Sequence, residues 1–220
     1  MPIKKKQYEF HENQGKKRVN DMQSTTQRAG SVTQCTGIKH ILGIVGSPRR
    51  GANTDTLVAT ILESSRECGA SIEKIVLQDL EIAPCKACDY CMKHGKCVHD
   101  DDMEQVVEIM EKSDTWILGT PVYWWGPSAQ FKTFIDRWYG IDHRLFQGKR
   151  VLLAVPMGGG NARYARHTEG MMQDICNYLG MEYLGSVVAP GMNGRSAVKE
   201  NSRILETARA KGMRIMYTEE

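Results

Sequence analysis

Four cysteines inside a 13-residue stretch are the densest chemistry in this chain: Cys85-Lys86-Ala87-Cys88-Asp89-Tyr90-Cys91-Met92-Lys93-His94-Gly95-Lys96-Cys97, spaced C-x2-C-x2-C-x5-C. Thiols at such short intervals wrap one compact object, and a [4Fe–4S] cubane accepts one thiolate on each of its irons. Ferredoxin loops open the same way, although there the fourth cysteine often serves another cluster. Zinc is an alternative, but structural four-cysteine zinc sites usually present two separated C-x2-C knuckles, and no second knuckle exists here. Metal-free thiols beside another redox group are the third reading. Lys86, Lys93 and Lys96 read as solvated loop residues, His94 as solvent-facing, and Asp100 to Asp102 as carboxylates that cap a helix and meet its dipole.

A second chemistry sits where the apolar run Ile41 to Val45 breaks into Gly46-Ser47-Pro48-Arg49-Arg50-Gly51-Ala52-Asn53-Thr54. Leu57, Val58, Ile61 and Leu62 follow at helical spacing, so the segment reads as strand, polar loop and helix start, with Asn53 and Thr54 as N-cap types. Unpaired N–H groups at such a start hold an anion, and Ser47, Arg49, Asn53 and Thr54 would complete a phosphate shell. The loop fits neither the dinucleotide G-x-G-x-x-G nor the P-loop pattern. Further on, Thr120-Pro121-Val122-Tyr123-Trp124-Trp125-Gly126 offers aromatic faces beside a proline-fixed backbone. A flat heteroaromatic ring suits it, and Gly158 to Gly160 would let backbone approach that ring from the far side. A phosphate at one loop and a flat ring at the next is the outline of FMN.

The elements that must position these loops alternate from His40 onward. Strands are expected at Ile41 to Val45, Ile72 to Leu77, Thr115 to Gly119, Arg150 to Val155 and Tyr183 to Ala189. Between them come a helix ending near Gly69, one starting at Asp101 or Asp102, one with Pro127 in its first turn, one through Met171 to Leu179, and a last from about Ala197 to Met216. Near-continuous apolar strands alternating with helices imply an α/β three-layer fold, a five-stranded parallel sheet with helices on both faces. Five strands favour the flavodoxin-like order 2-1-3-4-5, which sets the loops after strands one and three on either side of the ligand crevice. The glycine loop and the cysteine segment, 84 to 102, are expected along the same rim.

Gly46-Ser47-Pro48-Arg49 with Asn53-Thr54, then Pro121-Val122-Tyr123-Trp124-Trp125 leading into Phe134-Ile135-Asp136-Arg137, resemble the flavodoxin-like NADPH-dependent FMN reductases. The cysteines narrow the resemblance to the iron–sulfur flavoprotein branch. It runs from about His40 to Met216. It implies FMN held through its phosphate by Ser47, Arg49, Asn53 and Thr54, with the ring against Pro121, Val122, Tyr123, Trp124, Gly158 and Gly159. It further implies a homo-oligomer, dimer or tetramer, with Trp125 and Trp138 as interface candidates.

Composition bounds the remainder. With 41% hydrophobic residues, 220 residues make one well-buried domain, 39–220, preceded by a polar segment, 1–38, expected to be a disordered tail containing Cys35. Residues 1 to 40 hold 8 Lys/Arg against 3 Asp/Glu and the remainder 21 against 23, so the globular part leaves no electrostatic footprint for nucleic acid. No apolar run reaches membrane-helix length and no secretory leader is visible, which places the expected chain in the cytoplasm. The leading expectation is a redox flavoprotein with FMN and a [4Fe–4S] cluster, moving electrons between a ferredoxin-like one-electron carrier and two-electron chemistry. An NAD(P)H-dependent FMN or quinone reductase with idle thiols, and a zinc-bearing interaction module with an empty crevice, are the alternatives.

Overall fold

The sheet is built outward from β1 (His40–Val45), whose side chains alternate between two buried faces. This computed structural model describes residues 39–217; the tail expected at 1–38, with Cys35, lies outside the described residues. β2 (Ser71–Val76), β3 (Thr115–Gly119), β4 (Arg150–Pro156) and β5 (Glu182–Ala189) complete a parallel sheet in the order β2-β1-β3-β4-β5, as the alternation of elements predicts. Leu42, Ile44, Trp116, Leu118, Leu153 and Val155 point to one face. There they meet α3 (Met103–Lys112), α4 (Ala129–Asp136) and α5 (Arg166–Leu179). Ile41, Val45, Ile117 and Leu152 point to the other, under α1 (Asn53–Glu67) and α6 (Ser202–Ile215). A sheet covered on both faces needs apolar side chains at consecutive positions, which is why the strands read as unbroken runs.

Departures from the expected boundaries have local causes. The first helix is capped at Ala52 rather than by Asn53 or Thr54, because the Asn53 side chain is bonded elsewhere. β2 ends one residue early, and Leu77–Asp79 turn as a short 3-10 segment. Pro127 precedes α4 instead of opening it; Ser128 is the cap, its hydroxyl accepting from the Phe131 N–H at 3.2 Å. α6 starts at Ser202 rather than Ala197, where Asn201 accepts from the Ile204 N–H at 3.1 Å. The cysteine segment contains a one-turn helix, α2 (Tyr90–His94). Trp138, read as an interface candidate, is 4% exposed and packs edge-on against Trp116 and Phe134 in the core. Among the described residues no helix is long and apolar enough to cross a membrane.

Candidate functional site

β1 and β3 end side by side, and the Gly46 N–H donates to the Gly119 carbonyl at 2.7 Å. A Cβ on Gly46 would stand 2.7 Å from Phe131 and 3.0 Å from the Gly119 oxygen, so the close approach demands glycine. Ser128 laces the two loops together: its hydroxyl donates to the Gly46 carbonyl, while its N–H donates to the Thr120 hydroxyl at 3.0 Å.

Beyond Gly46 the loop curls over the start of α1. The buried Ser47 hydroxyl accepts from the Arg49 N–H at 3.2 Å, and Gly51 adopts the left-handed φ of 64° that turns the chain into the helix. The first N–H groups of a helix lack internal partners, and among the described residues the exposed Arg49 guanidinium also has none. Asp55, in that first turn, would repel an anion were it not neutralised. It accepts from the Gly51 N–H at 2.9 Å and pairs with Lys74 at 2.6 Å. Burial pushes its carboxyl up, but Lys74 and the Gly51 N–H outweigh that and hold it below the usual range. Thr54 is buried beneath Gly119.

Asn53 acts differently from the expected side-chain ligand. Its amide donates to the Met192 and Gly194 carbonyls at 3.1 and 2.8 Å and accepts from the Val198 N–H at 3.0 Å. The side chain is thereby committed to the segment after β5. That segment is the part of the site missed from sequence. Its Met192 N–H donates to the Met157 carbonyl at 2.8 Å and its Gly191 N–H to the Gly159 carbonyl at 2.9 Å. A Cβ on Gly158 would stand 2.9 Å from Asn193 Oδ1, and one on Gly159 would stand 2.6 Å from the Tyr164 ring. Gly191 and Gly194, both at positive φ, are the sequence signal that a tight path was needed there.

Across the crevice, Pro121 is buried, Val122 half-buried and Tyr123 exposed. Tyr123 and Gly126 exchange two backbone hydrogen bonds, 2.8 and 3.0 Å, around Trp124 and Trp125. Both tryptophans have positive φ, 49° and 62°, the conformation that two-residue hairpin turns normally reserve for Asn and Gly. Left-handed backbone at a non-glycine residue costs about 1 to 2 kcal/mol. Trp124 is 92% exposed, with a tilted ring contact to Trp125 at 6.3 Å.

The four thiols line one small cavity with Arg137, Tyr139 and Gly140, and none is in a disulfide. Ala87 and Asp89 hold left-handed φ values of 50° and 53°, bending the loop so that the Ala87 N–H donates to Cys85 Sγ at 3.4 Å. A Cβ on Gly140 would lie 3.6 Å from Cys91 Sγ. Among the described residues, no three His, Cys, Asp or Glu side chains gather tightly enough for a single metal ion. A cubane offers each thiolate a separate iron, so its donors stand farther apart than those of one ion, and four thiols around one cavity fit that group. His94 is exposed and stacks on Tyr90 at 4.1 Å. The cap position of α3 is Asp102, whose side chain makes no capping bond and accepts instead from the Glu81 N–H at 2.7 Å; Asp101 accepts from the Met103 N–H at 3.2 Å, but its carboxylate chiefly grips Arg137.

The cysteine cavity does not join the rim as expected. Its wall comes from residues after the C-terminal end of α4, whereas Ser128 at the N-terminal end touches Gly46. Eight helical residues separate those ends by about 12 Å. Below the loop, a groove of about 1160 Å³ runs between α3 and residues 140–149, sharing Cys97 and Arg137 with the cavity.

Residues 40–193 match the sequence model of the NADPH-dependent FMN reductase family. An iron–sulfur flavoprotein of Methanocaldococcus jannaschii is 33% identical over 192 residues, 80% of this chain and 94% of that protein. One of Archaeoglobus fulgidus is 32% identical over 173 residues, 74% of this chain and 76% of that protein. In fold, the chain is similar to an NAD(P)H:quinone oxidoreductase from Methanothermobacter marburgensis, with a TM-score of 0.66 at 16% identity, over 84% of this chain and 99% of that one. The chain belongs to the NADPH-dependent FMN reductase family, in its iron–sulfur flavoprotein branch, and is an FMN-dependent oxidoreductase.

Proposed function

We propose that the protein transfers electrons between a one-electron carrier of the ferredoxin kind and FMN-dependent two-electron chemistry, using a [4Fe–4S] cluster held by Cys85, Cys88, Cys91 and Cys97. The observation that carries this reading is the convergence of four free thiols on one cavity in a flavin-binding fold. When bound, FMN exchanges one or two electrons and the cluster one, which makes the pair an adaptor. The chain's own residues hold and shield. Ser47, Arg49, Thr54 and the α1 N–H groups receive the phosphate, with Asn53 fixing the loop from behind. Pro121, Val122, Tyr123 and Trp124 face the ring on one side, Gly158 and Gly159 on the other. Cys85 and Cys88 are exposed, open to an approaching carrier.

The distance along α4 between thiols and rim gives a homo-oligomer, dimer or tetramer, a role: a second copy would bring one chain's cysteine loop to another's flavin. Trp124 and Trp125 are exposed enough to meet it. Exposed thiols fit the reducing cytoplasm. The near-neutral domain belongs to this reading as one without a nucleic-acid partner.

Protein purified without oxygen, with iron, zinc and sulfide counted beside its absorption spectrum, tests the reading. Flavin bands over a broad iron–sulfur absorbance, about four irons per chain, are expected. Cys88→Ala should abolish the iron signal and retain FMN. A second reading, an NAD(P)H-dependent FMN or quinone reductase without a cluster, rests on the four cysteines standing as free thiols. Rapid flavin reduction by NADPH in iron-free protein would establish that one instead.

A further inference from the structure

Arg137 entered the sequence reading only as part of a motif, yet its side chain is 2% exposed, and a buried guanidinium must be compensated. Asp101 supplies a two-pronged pair at 2.6 and 3.1 Å, and the Ala83 carbonyl accepts a third bond at 2.9 Å. Burial pulls the guanidinium pKa down, but Asp101 and the Cys97 thiol beside it more than restore it. Of its three nitrogens, one is left without any hydrogen bond. Arg137 Nε is buried without an acceptor, and it is the only charged group among the described residues with a buried, unpartnered side-chain nitrogen or oxygen. The same side chain walls the cysteine cavity beside Cys97 and Gly140.

Resting on the cluster reading above, we propose that Arg137 is a positioning residue for the iron–sulfur site. Its Nε–H donates to a sulfur of the bound cluster, its charge stabilises the reduced form, and Asp101 sets how much of that charge the cluster feels. Reduction by one electron from a carrier, or from dithionite in the test below, adds one negative charge to the site without making or breaking a bond. A fixed cation nearby favours that form, as hydrogen bonds to sulfur do. Lys86, Lys93 and Lys96 are exposed and screened by water, whereas Arg137 is buried at the cavity wall with its charge partly offset by Asp101.

The test is a redox titration of the full, anaerobically loaded chain, with the cluster followed by electron paramagnetic resonance and the iron content matched. Arg137→Gln should lower the ratio of reduced to oxidised cluster at least tenfold at a fixed poise, which is 59 mV for one electron. Asp101→Asn, which frees the cation, should raise it. A purely structural role would loosen the loop in both variants and could not move them in opposite directions. Equal or like-signed shifts overturn the proposal. Pulsed resonance on native protein carrying 15N-arginine needs no variant: a 15N coupling to the reduced cluster supports the Nε–H bond, and its absence overturns it. Native protein that binds no iron overturns the cluster reading, and this inference with it; iron-loaded native protein whose variants titrate alike overturns this inference alone.

Discussion

The Asn53 amide donates to the Gly194 carbonyl at 2.8 Å, tying the loop after β1 to the segment after β5 across 141 residues of sequence. With its bonds to Met192 and Val198, this makes Asn53 the fastener of the loop after β1. Asn53→Ala should cost the apoprotein about 2 to 3 kcal/mol, near 1 kcal/mol for each lost bond. Urea unfolding without FMN measures it. Unchanged apoprotein stability would show that Asn53 serves the ligand directly.

Arg49 is the counter-case, exposed and without a partner among the described residues. Arg49→Ala should leave apoprotein stability within about 0.5 kcal/mol and weaken FMN by roughly 1.5 to 3 kcal/mol, ten- to a hundredfold or more, the range for a charge-assisted bond. Fluorescence titration with riboflavin, which has no phosphate, should show no change. An equal loss for both ligands would move Arg49 from the phosphate to the ring.

The Trp124–Trp125 turn holds two left-handed residues. Trp125→Gly relieves one, and the apoprotein should gain about 1 kcal/mol in thermal or urea unfolding. FMN binding should weaken in the same variant, because the turn is no longer preset. A loss of stability would mean that the edge contact of Trp125 with Tyr164, at 6.3 Å between centroids, outweighs the strain.

Cys176 is completely buried in α5, and burial pushes its thiol up to about 11, from 9.0. Between those values the unfolded chain loses this proton while the native state keeps it, so stability falls as pH rises. The full shift corresponds to about 2.7 kcal/mol. Cys176→Ala should flatten this share of the alkaline decline between pH 9 and 11 in melting curves, whatever its effect at pH 8. A decline of unchanged slope would place its cause elsewhere.

Much of the site was legible because it is made of local patterns. The Gly46 to Thr54 loop, the Pro121 to Trp124 turn and the cysteine spacing each lie within one short segment, and the strand order follows from parallel strands with right-handed crossovers. What Asn53 does was not legible. A residue of N-cap type beside a glycine-rich polar loop reads as a ligand, and its partners, Met192, Gly194 and Val198, come near only when β5 lies at the far edge of the sheet. The same holds for Trp138, whose pattern shows an apolar stripe but not that Trp116 and Phe146 close over it.

Residue types and spacing determined by themselves that this chain is a doubly wound α/β flavoprotein with a compact set of four thiols, since backbone periodicity and short-range chemistry are written in neighbouring residues. Tertiary structure alone decided that the thiol cavity is walled by residues past the C-terminal end of α4, and that Arg137, bonded to Asp101, stands beside Cys97 there. Those relations depend on how α3 and α4 pack over one face of the sheet, and packing is set by side chains far apart in the chain.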